Sequence, residues 1–357
     1  MPNRPLVTRR SQELRWFADR WSRLGLALGL GLALTWPFVV SARWLTVGNQ
    51  GLVAVVGALG LMVLTGFAGQ VSLGHAAFLA LGAYTVAGLG VHAHAPFWLA
   101  LPAGGLVATV VGLAVGPFAL RLRGLYLAIV TLGLLFVVDH TLLSLAPWTG
   151  GNSGTPAPMY WGFGGPSDAL GDFGRSGPLS RGQQTYFLFA AIAAGCTAAV
   201  AQLRASRTGR ALVAVRDSDL AAEALGVRPV HAKSFAFGAS AFLGGLAGGM
   251  FAYQQQYLTV SPPFDLSMSV QYIAMCVLGG VGTTFGAVVG ALGYVFLTPA
   301  AQAVAGELPL VSKLSSAQQS TLVFSVVVCA FLVFEPLGLY GIWLRVQRFF
   351  VGWPFRV

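Results

Sequence analysis

The sequence predicts an all-α integral membrane protein, a polytopic helical bundle of about eight to ten transmembrane helices with both termini cytoplasmic. Three observations carry that reading. Of 357 residues, 56% are hydrophobic and 9% charged, with a mean hydropathy of +0.73, whereas an ordinary soluble domain carries roughly 25% charged residues. The apolar residues fall in runs near the ~20 residues a helix needs to cross a bilayer, without the alternation of a barrel strand. The basic residues gather on one side of those runs.

A basic leader, residues 1–23, precedes the first run at 24–40. It is long for a cleaved signal and no small-x-small cleavage site follows, so the run reads as a retained first span; its removal is the alternative. Further runs lie at about 49–66, 75–92, 97–119, 124–145, 184–203, 233–253, 268–281, 284–300 and 319–338. The pair at 268–281 and 284–300 is short and glycine-interrupted, so eight full spans plus broken pieces is the competing count. The membrane domain thus covers 24–338, with a loop at 146–183, another at 204–232 and a tail at 339–357.

With an internal N-terminus, ten spans place 1–23, 120–123, 204–232 and 339–357 inside. With Lys233 at the border, these segments hold 17 of the 21 Lys and Arg; only Arg43, Arg175, Arg181 and Lys313 fall outside. That asymmetry is the positive-inside pattern, and it accounts for the net charge of +10 without nucleic acid. Cys196, Cys276 and Cys329 lie within apolar runs and lack metal-ligand spacing, so they read as small apolar fillers. The 47 glycines read as close helix packing.

The loop at 204–232 carries the densest charge, in "SRTGRALVAVRDSDLAAEALGVRP" (206–229). From Ala211, small or apolar residues at Ala214, Val215, Ser218, Ala222 and Leu225 keep one helix face continuous, while Leu212 and Leu220 fall off it. Arg216, Asp219 and Glu223 lie on another face, close enough to pair. Asp217 or Ser218 as a cap would split the stretch into two helices. Gly226 ends it and Pro229 prevents continuation. The bland reading is a solvated connector held by its own ion pairs; the sharper one is a helix whose alanine face docks in a groove on another protein.

Two stretches interrupt the apolar pattern. "GFAGQVSLGHAAF" brings Gly69, Gln70, Ser72, Gly74 and His75, and irregular backbone at membrane depth requires a covering of protein or a cavity. Alone, His75 reads as a core histidine satisfied by a neighbour; the cluster points to a transport path. "GGVGTTFGAVVGA" contains Gly280 and Gly282 and spaces Gly282, Gly286 and Gly290 four apart. With Gly244/Gly248 and Gly245/Gly249, this is the pattern of close helix crossings, and the glycines read as packing and pore-wall positions. Asp139–His140 lies towards the outer end of its run and reads as a structural pair or a polar lining. His92 and His94 sit in a short outer turn. The loop 146–183, rich in Gly, Pro and Ser, reads as an external cap that meets a partner or substrate, or as a solvated connection. The chain contains no Gly-Lys-Ser/Thr phosphate loop and no nucleophile–base motif, which excludes ATP hydrolysis by the chain itself and leaves a membrane enzyme without a catalytic group.

Four motifs, "TGFAGQVSLGHAAFLALGAYT" (65–85), "LRLRGLYLAIVTLGL" (120–134), the insert at 206–229 and "VLGGVGTTFGAVVGA" (277–291), together resemble the M-type permease subunits of bacterial branched-chain amino acid ABC importers, in the same order over about 45–345. The resemblance implies a multi-pass plasma (inner) membrane protein that binds no cofactor of its own, ATP being held by partner subunits. It implies a sister permease, two cytoplasmic ATPase subunits and a periplasmic or lipid-anchored solute-binding protein. It makes the insert the ATPase-coupling segment, with Arg210, Arg216, Asp217, Asp219, Ala222, Glu223 and Gly226 as contact candidates. The two interruptions, the first strengthened by its match to the family, make Gly69, Gln70, Ser72, Gly74, His75, Gly280 and Gly282 the substrate-path candidates. Branched-chain amino acids are the solutes the resemblance implies; urea and short amides use related permeases. A stand-alone secondary transporter or channel is the alternative, with Asp139 as its one good intramembrane acid.

Overall fold

The computed structural model describes residues 31, 33–117, 124–160, 180–307, 325–326, 338–341 and 345. The leader, residues 24–30 and 32 of the first run, the "LRLR" of the second motif, loop residues 161–179, most of the run at 319–338 and most of the tail lie outside these residues. The described helices are α1 (Ala42–Leu61), continued by a π-turn (Met62–Phe67), α2 (His75–Ala93), α3 (Phe97–Val115), α4 (Leu125–Ser144), α5 (Arg181–Ala205), α6 (Arg207–Asp217), α7 (Asp219–Ala224), α8 (Pro229–Gln255), α9 (Leu266–Gly279) and α10 (Thr284–Glu307).

Six of these segments are long and apolar enough to cross a membrane: Ala42–Phe67, α2, α3, Tyr126–Ser144, α5 and α8. Helices α9 and α10 form a pair bent by 119° that makes at most a seventh span, where the sequence alone suggested two. The physical reason is length: the 14 residues of α9 span about 21 Å, short of the ~30 Å hydrocarbon core. The turn between them uses Gly280 and Gly282, both at positive φ.

Helix α8 is the centre of the bundle, packed on α1, α2 and α3. Glycine makes those contacts possible. A Cβ on Gly82 of α2 would collide with the Gly245 backbone of α8, and one on Gly245 would stand 2.7 Å from Gly104 O of α3. Three backbones therefore touch where side chains would hold them apart, the van der Waals packing that replaces hydrophobic drive inside lipid. Of the glycines spaced four apart in the last motif, Gly286 and Gly290 do pack against Gly279 of α9. Gly282 does not join them, because it sits in the turn.

The chain runs back and forth between two ends. At one end lie the π-turn, α6, α7 and the 280–283 turn. At the other, residues 146–160 form an ordered cap: Thr155–Pro156 pairs antiparallel with Tyr257–Leu258, Ala157 N–H donates to Gln256 O at 2.8 Å, and Phe97 N–H donates to Tyr160 O at 2.8 Å. Within that cap the imidazoles of the outer turn pack on aromatics, His92 tilted against Trp148 at 4.6 Å and His94 edge-on to Tyr160 at 5.3 Å. The described half of the loop is therefore built rather than solvated.

Candidate functional site: the π-turn and the charged insert

The insert is two helices. Ser206 opens α6 by accepting from Gly209 N–H at 3.1 Å, and Ser218, extended at φ −163° and ψ 118°, closes it and caps α7 through Ala221 N–H. At the far end Gly226, at φ +80°, donates to Glu223 O, and Val227 N–H reaches back to Ala222 O at 2.9 Å, the left-handed exit that glycine favours. Pro229 then opens α8, where its missing N–H costs nothing.

The break at Ser218 resets the helical phase, so one continuous small-residue face does not form. Leu212, Val215 and Ala222 turn inward, Ala222 to 1% exposure, while Leu220 and Leu225 stand 77% and 81% exposed. The alanine face expected to dock on a partner is thus spent partly on the protein's own body. Ala222 is corrected from partner contact to internal packing, and the outward face belongs to Leu220, Ala221, Glu223, Ala224 and Leu225. The signal for this was Leu220 falling off the small-residue stripe.

The ion pairs also differ from the i, i+3/i+4 set expected from the sequence. Arg216 pairs with its neighbour Asp217 (Nε to Oδ1, 3.3 Å), and Asp219 pairs with Lys233 of α8 at 2.8 Å. The second pair is buried, with the Lys233 side chain 3% and that of Asp219 15% exposed. It ties the first residue of α7 to α8 in a setting where removal of either partner is costly. Glu223 is exposed, and Arg210 caps a neighbouring helix end through Ala205 O at 2.9 Å.

Arg216 carries the insert's link to the membrane. Its Nη1 donates to Gly66 O of the π-turn at 2.8 Å. A Cβ on Gly69 would lie 2.5 Å from Arg216 Cγ, and one on Gly282 3.3 Å from Arg216 Nη1. Gly69 holds φ +67°, so glycine serves there for both conformation and room. The π-turn receives two further contacts: Gly282 N–H points at Met62 Sδ at 3.1 Å, and the Arg204 guanidinium lies over the Phe67 ring at 5.8 Å. A cleft of about 310 Å³ opens beside these groups, lined by Gln70, Arg216, Asp219 and Lys233 among others. One π-turn therefore touches the insert, the first interruption and the second.

The residues read as a transport path divide. Gly69, Gln70 and Gly282 lie around Arg216 at the insert end, with Gly280 in the same turn. Ser72, Gly74 and His75 are buried. There the unwound backbone is satisfied by protein: Thr131 Oγ1 accepts from Leu73 N–H at 2.9 Å, Ser269 Oγ accepts from Ala76 N–H at 2.9 Å, and Gly74 leaves no room for a Cβ against Thr131 O. His75 Nε2 donates to Gly57 O at 2.9 Å with its ring edge-on to Tyr272. Thr131 and Ser269 are the residues that sequence reasoning missed; single hydroxyls in apolar runs gave no signal. Asp139 is half-buried on α4. Among the described residues no group of three His, Cys, Asp or Glu forms a metal site.

The family described as "Branched-chain amino acid transport system / permease component" matches residues 44–334. The "High-affinity branched-chain amino acid transport system permease protein LivM" of Escherichia coli is 35% identical over 283 residues, 76% of this chain and 66% of that protein, and the LivM of Salmonella typhimurium matches to the same extent. The chain thus spans just under two thirds of the length of these relatives. No solved structure matches. The match begins at α1 and takes in the π-turn, the insert and both interruptions, and the chain belongs to the branched-chain amino acid transport permease family.

Proposed function

We propose that the chain is a membrane subunit of an ATP-driven importer, forming the path for branched-chain amino acids across the bacterial inner membrane. It works beside a sister permease, is driven by two cytoplasmic ATPase subunits and is supplied by an external binding protein. The observation that carries this reading is the insert. It presents two exposed leucines, Leu220 and Leu225, on a helix that its own span anchors through Asp219–Lys233, and whose neighbour is riveted to the π-turn through Arg216. Two leucines exposed together outside the apolar spans offer an apolar face to a protein partner, and the rivet gives that partner a grip on the membrane part. The capped end, opposite the insert, is then where solute arrives.

The test is co-purification. Leu220→Asp with Leu225→Asp puts two charges on the outward face and leaves the internal contacts alone. The double variant should lose most of the ATPase subunit from the purified complex and most ATP-dependent leucine uptake, yet remain in the membrane at normal level. Full ATPase recovery in that variant would count against the insert as the coupling segment.

A further inference from the structure

The two interruptions converge at the insert end, so a solute arriving at the opposite end must first meet other residues. There the groove between α1 and α10 opens into a cavity of about 330 Å³, lined by Arg43, Val47, Gln50, Tyr294, Val295 and Thr298. Arg43, Val47 and Gln50 are spaced i, i+4, i+7 and share one stripe of α1. The stripe lies in the first turns of a helix whose other end carries the π-turn, about 18 Å from Gln50 and about 28 Å from Arg43 at 1.5 Å per residue.

We propose that this groove is an outward-facing site for a single zwitterionic amino acid with a short aliphatic side chain. The inference rests on the importer reading above and adds to it where solute is first held. The volume lies at the lower end of the ~300–1,000 Å³ typical of small-molecule sites, enough for one amino acid. The exposed Arg43 guanidinium offers forked donors matched to a carboxylate. The Gln50 amide oxygen is an acceptor for an ammonium group. Thr298 donates its hydroxyl proton to Tyr294 O at 3.0 Å, which leaves the hydroxyl oxygen as a second acceptor. Val47 and Val295 supply the apolar wall. Among the described residues the lining contains no acid and one cation, Arg43, so the carboxylate is the group that these residues meet with an opposite charge. A phospholipid phosphate shares that oxyanion chemistry, but it would leave Gln50 and Thr298 unused.

The test uses the complete transporter in nanodiscs of phosphatidylcholine, with Pro299→Cys, at the groove wall and without an assigned ligand contact, as a reporter after replacement of the native cysteines. L-leucine should slow modification by an external methanethiosulfonate reagent about tenfold, and leucinamide, which lacks the carboxylate, should not, because a site built for a charged partner rejects the analogue without it. Arg43→Gln should abolish the protection and Arg43→Lys keep part of it. Val47→Trp, which fills the groove, should abolish it with the charge retained. A transporter that takes up leucine but shows no leucine protection overturns the site and leaves the importer standing. Protection by added phosphatidylglycerol and not by leucine overturns it in favour of a lipid site. A complete transporter that takes up no amino acid at all overturns both readings.

Discussion

Arg216 matters because it is the point where a charged helix outside the apolar spans grips backbone inside them. A guanidinium serves Gly66 O and Asp217 together because its donors are fixed in a fork; an ammonium offers one point charge. Arg216→Lys should therefore keep the charge and lose the double contact. In the reconstituted transporter, leucine moved per ATP hydrolysed should fall several-fold while the ATPase still co-purifies. Gly69→Ala attacks the same point from the other side. It places a Cβ against Arg216 Cγ at a left-handed φ that costs an alanine about 1 kcal/mol, and it should lower the same ratio. Unchanged ratios in both variants would mean that motion does not pass through this contact. The need for glycine at 69 was legible as an interruption in the apolar run. Its reason was not, since the partner lies 147 residues further along the chain.

The second helix of the insert, α7, is too short to be stable alone and owes its position to what it touches. Ser218 caps it, Ala222 packs inward, and Asp219 meets Lys233 in a buried pair. Removing one charge strands the other, at a typical cost of about 3–5 kcal/mol, whereas replacing both with apolar residues of similar size is often close to neutral. Lys233→Met should accordingly lower the thermal unfolding midpoint of the purified protein, and Lys233→Met with Asp219→Leu should restore most of it. A double variant no better than the single would show that the pair is not the anchor. Sequence reasoning found the insert, its exit at Gly226 and the chance of a split at Ser218. Because it carried helical periodicity across a residue in extended conformation, it put Val215 and Ala222 on one face with Leu225, whereas the first two turn inward and Leu225 stays exposed. Charge spacing misled in the same way: i, i+4 partners on paper became a neighbour pair and a contact with the next helix.

At the scale of the whole molecule, hydropathy and the positive-inside pattern made the helical bundle legible, since lipid leaves the backbone few alternatives. The bent α9–α10 pair was the ambiguous part, because length and glycine content fit a short span and a broken one equally well. The contacts add what patterns lack: a direction for each segment. α4 climbs from the insert end to the cap at 146–160, and α5 descends from the capped end to α6. The cap and the insert lie at opposite ends of the bundle, and the surplus of Lys and Arg around 204–233 predicts that the insert end is the inner one. In a cysteine-free background, Ala221→Cys on the exposed face of α7 should label with an impermeant maleimide only after the membrane is opened. Asn152→Cys, exposed in the cap, should label in intact cells stripped of the outer membrane. Labelling of both from the same side would contradict the chain trace, because an odd number of crossings separates the two positions along α5. Labelling of both from the reversed sides would leave the trace intact and invert the protein, which would put Leu220 and Leu225 out of reach of any cytoplasmic ATPase.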